Sequence, residues 1–507
     1  MPRPRTVRRR AVLGTLAPLG LILVAAAGTG TADARSRAPQ LAGARCVPAT
    51  AKSCKSGVAV AVGKQVQLRG TRLAAGQRVS FRWSRGALAA GLKRSRAGYV
   101  ARVPAGTRAG KVSVTVRDKA GRRSKAVAIS VLAAPKPVSL PATAVLTSDV
   151  TPPAAFTGNG MWIWELPKSD GGDLAAIVAK ARAASISTVF VKSSDGPTNR
   201  WAQFDAPLVA ALHAQGLRVC AWQFVYGTSP EAEARLGADA VAAGADCLVI
   251  DAEGQYEGKY AQAQRYITTL RASIGAAYPV GLTSFPYVDY HPGLPFSVFL
   301  GAGGAQVNLP QVYWKDIGGT VDAVSAHAYA HNRLYGRHIA PLGQTYGSVP
   351  AGDVQRFRQV WAAYGAAGLS WWSWQATPAA LWTTLGTAAG PPAVLPDPGW
   401  PALGKGAKGD EVVWLQQHLV SAVPTVPVDG VLGTSTADGL RAFQTAHGLP
   451  ATGTTDAATW TAVLAQPLTP KDWTSAGATA AGAGRATGPR SAGLPARRDE
   501  IPPAARR

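Results

Sequence analysis

Three successive patterns predict a multidomain chain: an N-terminal all-β sandwich of immunoglobulin-like type, a central (β/α)8 TIM-type barrel and a small helical domain near the C-terminal end. Apolar runs alternating with period two between residues 45 and 133 predict the first. Strand-like runs alternating with helical ones between residues 158 and about 385 predict the second. Apolar residues at helical spacing over residues 403–464 predict the third. A length of 507 residues allows about three domains, and 47% hydrophobic against 16% charged residues suits buried cores.

Residues 1–34 read as an export signal. Arg3, Arg5 and the run Arg8-Arg9-Arg10 form a basic start. Ala11 to Ala27 is apolar, interrupted by Pro18, and Ala32-Asp33-Ala34 is an A-x-A cleavage site. Arg9-Arg10-Ala-Val-Leu13 also fits a loose twin-arginine pattern. The expectation is a secreted protein, extracellular or cell-wall associated, with no stable membrane span after cleavage. The alternative is an uncleaved N-terminal anchor, its apolar stretch near the lower limit for a span.

The β domain is expected at residues 35–133. Its strands are read at Val58–Val62, Gln65–Arg69, Val79–Trp83, Tyr99–Val103, Val112–Val116 and Val127–Val131. Between Arg35 and Ala133 the only acidic residue is Asp118, so the basic excess behind the net charge of +25 belongs to this region. That suits contact with anionic wall polymers, or a solvated basic face. No zinc-finger, RNP or helix-turn-helix signature accompanies it, so nucleic acid is not expected as a partner. Cys46 and Cys54 lie close enough for a small-loop disulfide. Residues 134–157, rich in Pro, Ala, Thr and Ser, read as a linker.

The barrel is expected at residues 158–388. Strands are read at Met161–Trp164, Thr188–Lys192, Arg218–Trp222, Cys247–Ile250, Pro279–Thr283, Leu309–Tyr313, His338–Leu342 and Leu369–Trp374. Helices fall between most of them, as at Leu174–Ala184, Glu231–Ala243 and Tyr260–Ile274. Cys220 and Cys247 sit on consecutive strands, either bridged or as buried thiols. A Pro-rich linker follows at 389–402, then the helical domain at 403–466 and a tail at 467–507 expected to be disordered.

The fourth strand carries the candidate chemistry. Cys247-Leu-Val-Ile250 runs into Asp251-Ala-Glu253. Residues i and i+2 share a side, so both acids and Val249 face one way while Leu248, Ile250 and Ala252 face the other. Two neighbouring acids at the end of a buried strand hold a shared proton at neutral pH, as glycosidic cleavage requires. An Asp-x-Glu past a strand also serves as a helix cap and solvated first turn; its place where a barrel strand ends favours catalysis.

The segment beginning Leu403-Gly-Lys-Gly-Ala-Lys-Gly409 resembles the peptidoglycan-binding repeat domain, a three-helix module. Val412, Leu415-Gln416, Leu419, Val428-Asp-Gly430, Gly433, Phe443-Gln444, Gly448-Leu449, Gly453 and Thr459-Trp460 continue the match. The resemblance implies binding to peptidoglycan. The barrel is similar, more loosely, to the family-25 glycoside hydrolases, the lysozyme or muramidase family. Phe190-Val-Lys-Ser-Ser-Asp-Gly196, Ala214–Val219, Val249-Ile-Asp-Ala-Glu253 and Trp374-Gln375 carry that likeness. The first strand departs from it: Met161-Trp-Ile-Trp-Glu165 stands where that family places an Asp. Asp-x-Glu ending a fourth strand is shared with family-18 chitinase-like barrels, although Val249 replaces an Asp of their fuller motif.

The resulting expectation is a cell-wall-binding glycoside hydrolase. Glu253 is the general acid/base and Asp251 its partner, with Glu165, Asp195 and Asp289 as candidates for a third carboxylate. Lys192, Trp222, Tyr226, Tyr313, Trp314, Trp374 and Gln375 are the candidate substrate-binding residues. The alternatives are a non-catalytic peptidoglycan-binding scaffold with an inactive barrel, or a glycosidase on another wall or capsule polysaccharide. His327 and His331 are spaced i, i+4 but lack the Glu of His-Glu-x-x-His, so no metal is expected, and no cofactor. No Ser-His-Asp or Cys-His arrangement points to a wall amidase or peptidase.

Overall fold

The computed structural model describes residues 38–47, 59–61, 65–96, 98–104, 106–132, 151–475, 477–478 and 480. The expected export signal and Cys54 lie outside the described residues. The chain divides into two compact units, one ending at Lys136 and the other beginning at Pro137.

The first unit holds two sheets. Gln40–Val47, Gln65–Thr71, Gly98–Arg102 and Lys93–Ser95 form one, in that order. Ala59–Ala61, Val127–Leu132, Gly110–Arg117, Arg78–Trp83 and Gly86–Gly91 form the other. Alternate residues meet in one core: Val66 and Leu68 from the first sheet, Val79, Phe81, Val112, Val114, Val116, Ile129 and Val131 from the second. The alternation read from the sequence therefore marks the buried faces. It missed Gln40–Val47 and Gly86–Gly91, whose small and polar residues carry little apolar signal.

In the second unit eight parallel strands close into a barrel. They are β1 Gly158–Ile163, β2 Thr188–Asp195, β3 Arg218–Val225, β4 Cys247–Ala252, β5 Val280–Ser284, β6 Val307–Val312, β7 Leu342–Gln344 and β8 Gly368–Trp372. Each pairs with the next, and β8 pairs back to β1. The seventh strand differs from expectation. His338–Ile339 pairs with β6 as a separate short strand, and Pro341, lacking an N–H for the ladder, breaks the run before β7. Seven main helices accompany the strands: α1 Leu174–Ala183, α2 Ala206–His213, α3 Pro230–Ala242, α4 Tyr260–Ile274, α5 Val321–Asn332, α6 Ala351–Ala363 and α7 Ala379–Gly386. Asp173, Asp205 and Thr320 cap α1, α2 and α5 by accepting from backbone N–H groups of the first turn.

Strand alternation sorts the side chains into two layers. Trp162, Phe190, Trp222, Val249, Leu309 and Leu342 fill the barrel. Met161, Val189, Ala221, Leu248, Ile250 and Leu282 join the core beneath the helices. Phe156 lies in the inner cluster although the linker was expected to run to Thr157, so the barrel's floor begins earlier. Gly281 makes room for it: a β-carbon there would lie 2.9 Å from the Phe156 ring. The sulfurs of Cys220 and Cys247 are bridged across β3 and β4, where their backbones pair.

Three further helices, α8 Asp410–Ala422, α9 Thr434–Ala446 and α10 Ala457–Leu464, form the C-terminal domain of the same unit. The start of α8 is seated in the barrel's flank. The Asp410 carboxylate accepts from Ser297 N at 2.7 Å, Ser297 Oγ at 2.6 Å and Tyr335 OH at 2.7 Å. Trp414 Nε1 donates to Leu334 O at 2.7 Å. The 389–402 segment is held too, with Trp400 against the Arg333 guanidinium at 3.9 Å. The tail expected to be disordered from residue 467 instead packs at its start. Leu468 and Trp473 are buried, and Trp473 lies 4.6 Å from the Tyr260 ring. Residues 481–507 lie outside the described residues.

Candidate active site

Asp251 is the penultimate residue of β4 and Glu253 follows the strand; Val249 below them points into the barrel, while Leu248, Ile250 and Ala252 point outward. Asp251 is buried, at 7% exposure, and Glu253 is half-buried. Gln311, near the end of β6, bridges the pair: its Nε2 donates to Asp251 Oδ1 at 3.2 Å and Glu253 Oε1 at 3.0 Å. Burial holds both carboxyls above the ordinary range. Asp251 is pushed up well beyond it, because the Glu253 charge adds to desolvation and outweighs the opposing Lys192 ammonium. The pair therefore retains a proton where a solvated carboxylic acid has lost it.

Lys192 and Asp195 face this pair from β2. Lys192 Nζ lies 2.6 Å from Asp195 Oδ2, and Tyr226 OH donates to Asp195 Oδ1 at 2.8 Å. Tyr226 is fixed from behind, since its N–H and that of Gly227 donate to the buried Glu233 carboxylate at 3.2 and 3.0 Å. The Lys192 ammonium lies 4.8 Å from the ring centroids of both Trp201 and Trp222, and 5.6 Å from Trp164. The indole N–H groups of Trp164 and Trp201 are buried without a protein partner among the described residues. Tyr313 joins the group: its hydroxyl ionises well above its usual value because of burial and the neighbouring Tyr346, Asp251 and Glu253.

Of the expected residues, the structure brings together Asp251, Glu253, Asp195, Lys192, Trp222, Tyr226 and Tyr313. Gln375 follows the end of β8, with Oε1 buried and unpartnered among the described residues. Four others have partners of their own. Glu165 is paired with Lys168 at 2.8 Å. Asp289 meets His327 at 2.8 Å. Trp314 follows Tyr313 and so faces outward, stacking on Phe357 at 5.1 Å and donating to Asp353 at 3.1 Å. Trp374 lies beyond the end of β8, where it packs on Trp382 at 4.7 Å and donates to Asp170 at 2.8 Å. Gln311 was not singled out as a site residue, although its period-two position places it on the inward face with Leu309 and Tyr313. Trp201 comes from the loop after β2 and had no sequence signal.

Residues 408–463 match the peptidoglycan binding domain family. The C-terminal module is a peptidoglycan-binding domain. No curated protein matches the chain. Similar solved structures include a family 39 glycoside hydrolase from the gut symbiont Bacteroides cellulosilyticus, at 11% identity over 65% of this chain and 80% of that one, TM-score 0.35. The modular Cpl-1 endolysin complexed with a peptidoglycan analogue is 14% identical over 37% of this chain and 44% of that one, TM-score 0.22. An archaeal fructose 1,6-bisphosphate aldolase is 13% identical over 46% and 93%, TM-score 0.31. At such similarity these structures do not decide the chemistry, and barrels host many unrelated reactions. Among the described residues no helix is long and apolar enough to cross a membrane.

Proposed function

We propose that this chain is a secreted glycoside hydrolase that acts on peptidoglycan or a related N-acetylated glycan. The observation that carries the reading is the proton-holding Asp251–Glu253 pair where β4 ends, in one folded unit with a peptidoglycan-binding domain. In the reactive state the proton shared by the pair moves from Asp251 to Glu253, which delivers it to the leaving glycosidic oxygen. As the C1–O bond breaks, the carbonyl oxygen of the sugar's own 2-acetamido group bonds to C1. Asp251, left ionised by that transfer, orients the group and accepts a hydrogen bond from its N–H. Water then attacks C1, the acetamido oxygen leaves, and Glu253 takes the proton from the water. This substrate-assisted route is an alternative to the two-carboxylate scheme. Trp164 and Trp201, half-buried beside Lys192, are the aromatic side chains placed to stack on a sugar ring, and their buried indole N–H groups have no protein partner among the described residues. The Cys220–Cys247 bridge suits an oxidising compartment. The basic β domain adds contact with anionic wall polymers.

The test is digestion of purified peptidoglycan with product analysis by mass spectrometry. New reducing-end muramic acid supports a muramidase, and new reducing-end glucosamine moves the assignment to the other bond. Wild-type protein that binds walls and releases nothing refutes the enzymatic reading. Glu253→Gln is expected to slow release by about 100-fold or more while wall binding persists.

A further inference from the structure

His327 and His331 stand one turn apart on α5, so both rings leave one face of the helix. Their rings are nearly parallel, with centroids 4.6 Å apart. The loop after β5 brings Asp289 to them. Its Oδ1 lies 2.8 Å from His327 Nε2 and 3.9 Å from His331 Nδ1. One ligand atom from each of the three residues lies within 4.8 Å of the others. Tetrahedral bonds of about 2.0–2.1 Å place neighbouring ligand atoms about 3.3 Å apart. The two separations to Asp289 straddle that spacing and the third pair lies within 4.8 Å, so the three side chains can close on one ion by side-chain adjustment.

The surroundings favour a held ion. Asp289, His327 and His331 are half-buried, with side-chain exposures of 29%, 31% and 15%, which shields a site while leaving an entry path. The Tyr287 ring backs His327 at 4.1 Å. Glu411, from the first turn of α8, places Oε1 2.6 Å from His331 Nδ1, so a metal taking that nitrogen replaces this hydrogen bond, with the Glu411 carboxylate close enough to turn to the ion. We propose that Asp289, His327 and His331 bind a divalent first-row transition ion of the zinc type, which Glu411 ties to the peptidoglycan-binding domain. Two imidazoles with carboxylate oxygen are a donor set suited to zinc. The ion has a structural role, clamping α8 against the barrel.

The test uses the full, untagged chain freed of metal with a chelator. Co2+ is titrated and followed by visible absorption, and Zn2+ is titrated by calorimetry. The expected result is one ion per chain, with Zn2+ displacing Co2+ and raising the melting temperature. His327→Ala and the near-isosteric Asp289→Asn weaken binding by at least about 10-fold. His447→Ala, in α9's C-terminal cap and distant in sequence from the cluster, leaves it unchanged. Metal-free circular dichroism verifies that the variants fold; if His327→Ala does not, Asp289→Asn carries the same expectation. No uptake by the wild type, or wild-type affinity in a folded Asp289→Asn or His327→Ala variant, overturns the proposal.

Discussion

Asp410 is a carboxylate placed where ionisation is costly, and replacing it with Asn should stabilise the protein at neutral pH. The side chain is 1% exposed, and burial pushes its pKa from the ordinary 3.8 to about 6 against hydrogen bonds that favour the charged form. A raised folded-state pKa means that proton binding supports the fold fully below about 3.8 and that this support is lost as pH rises through about 6. The whole difference corresponds to about 3 kcal/mol, of which roughly half falls between pH 5 and pH 7.5. Asn resembles the protonated acid. Its oxygen at the Oδ2 position accepts from Ser297 N and Tyr335 OH, and its amide at the Oδ1 position donates to the Ser297 hydroxyl. Asp410→Asn should therefore gain about 3 kcal/mol at pH 7.5 and roughly half as much at pH 5. Urea unfolding followed by tryptophan fluorescence at the two pH values measures both. An equal variant-to-wild-type difference at the two pH values, or a less stable variant at pH 7.5, would refute the reasoning.

Two further expectations follow from close packing and from the bridged carboxylates. Gly409 has φ +116° and a β-carbon there would lie 2.5 Å from Pro292 Cβ, so Gly409→Ala should lose at least about 2 kcal/mol in the same unfolding assay. Gly406→Ala, with φ +101° and open space around it, separates the clash from the backbone cost. Gln311→Met removes the amide that lowers both carboxyls, so the alkaline limb of kcat/KM on a soluble wall fragment should move to higher pH. An unmoved limb in an active variant would disconnect Gln311 from the pair.

Most of the barrel was legible because its signals are local. Period two in Cys247–Glu253 predicted which side chains enter the barrel, and each is found there. The same rule applied to Gln311-Val-Tyr-Trp314 would have admitted Gln311 and rejected Trp314. Composition was a poorer guide at the tail, because an Ala- and Gly-rich average concealed Leu468 and Trp473, two large apolar anchors. Pro341 was read inside a strand that it interrupts.

The sequence by itself determined the three-domain order, the strand that carries the acids and the face on which they lie, because strand alternation and turn chemistry act over a few residues. Only the tertiary structure decided the acids' neighbours. Gln311 reaches Asp251 across 60 residues of chain and Ser297 reaches Asp410 across 113. Asp289 was a candidate third carboxylate and meets two histidines instead. Such partners depend on how the barrel closes and where its loops fold back, and a local periodicity carries no record of either.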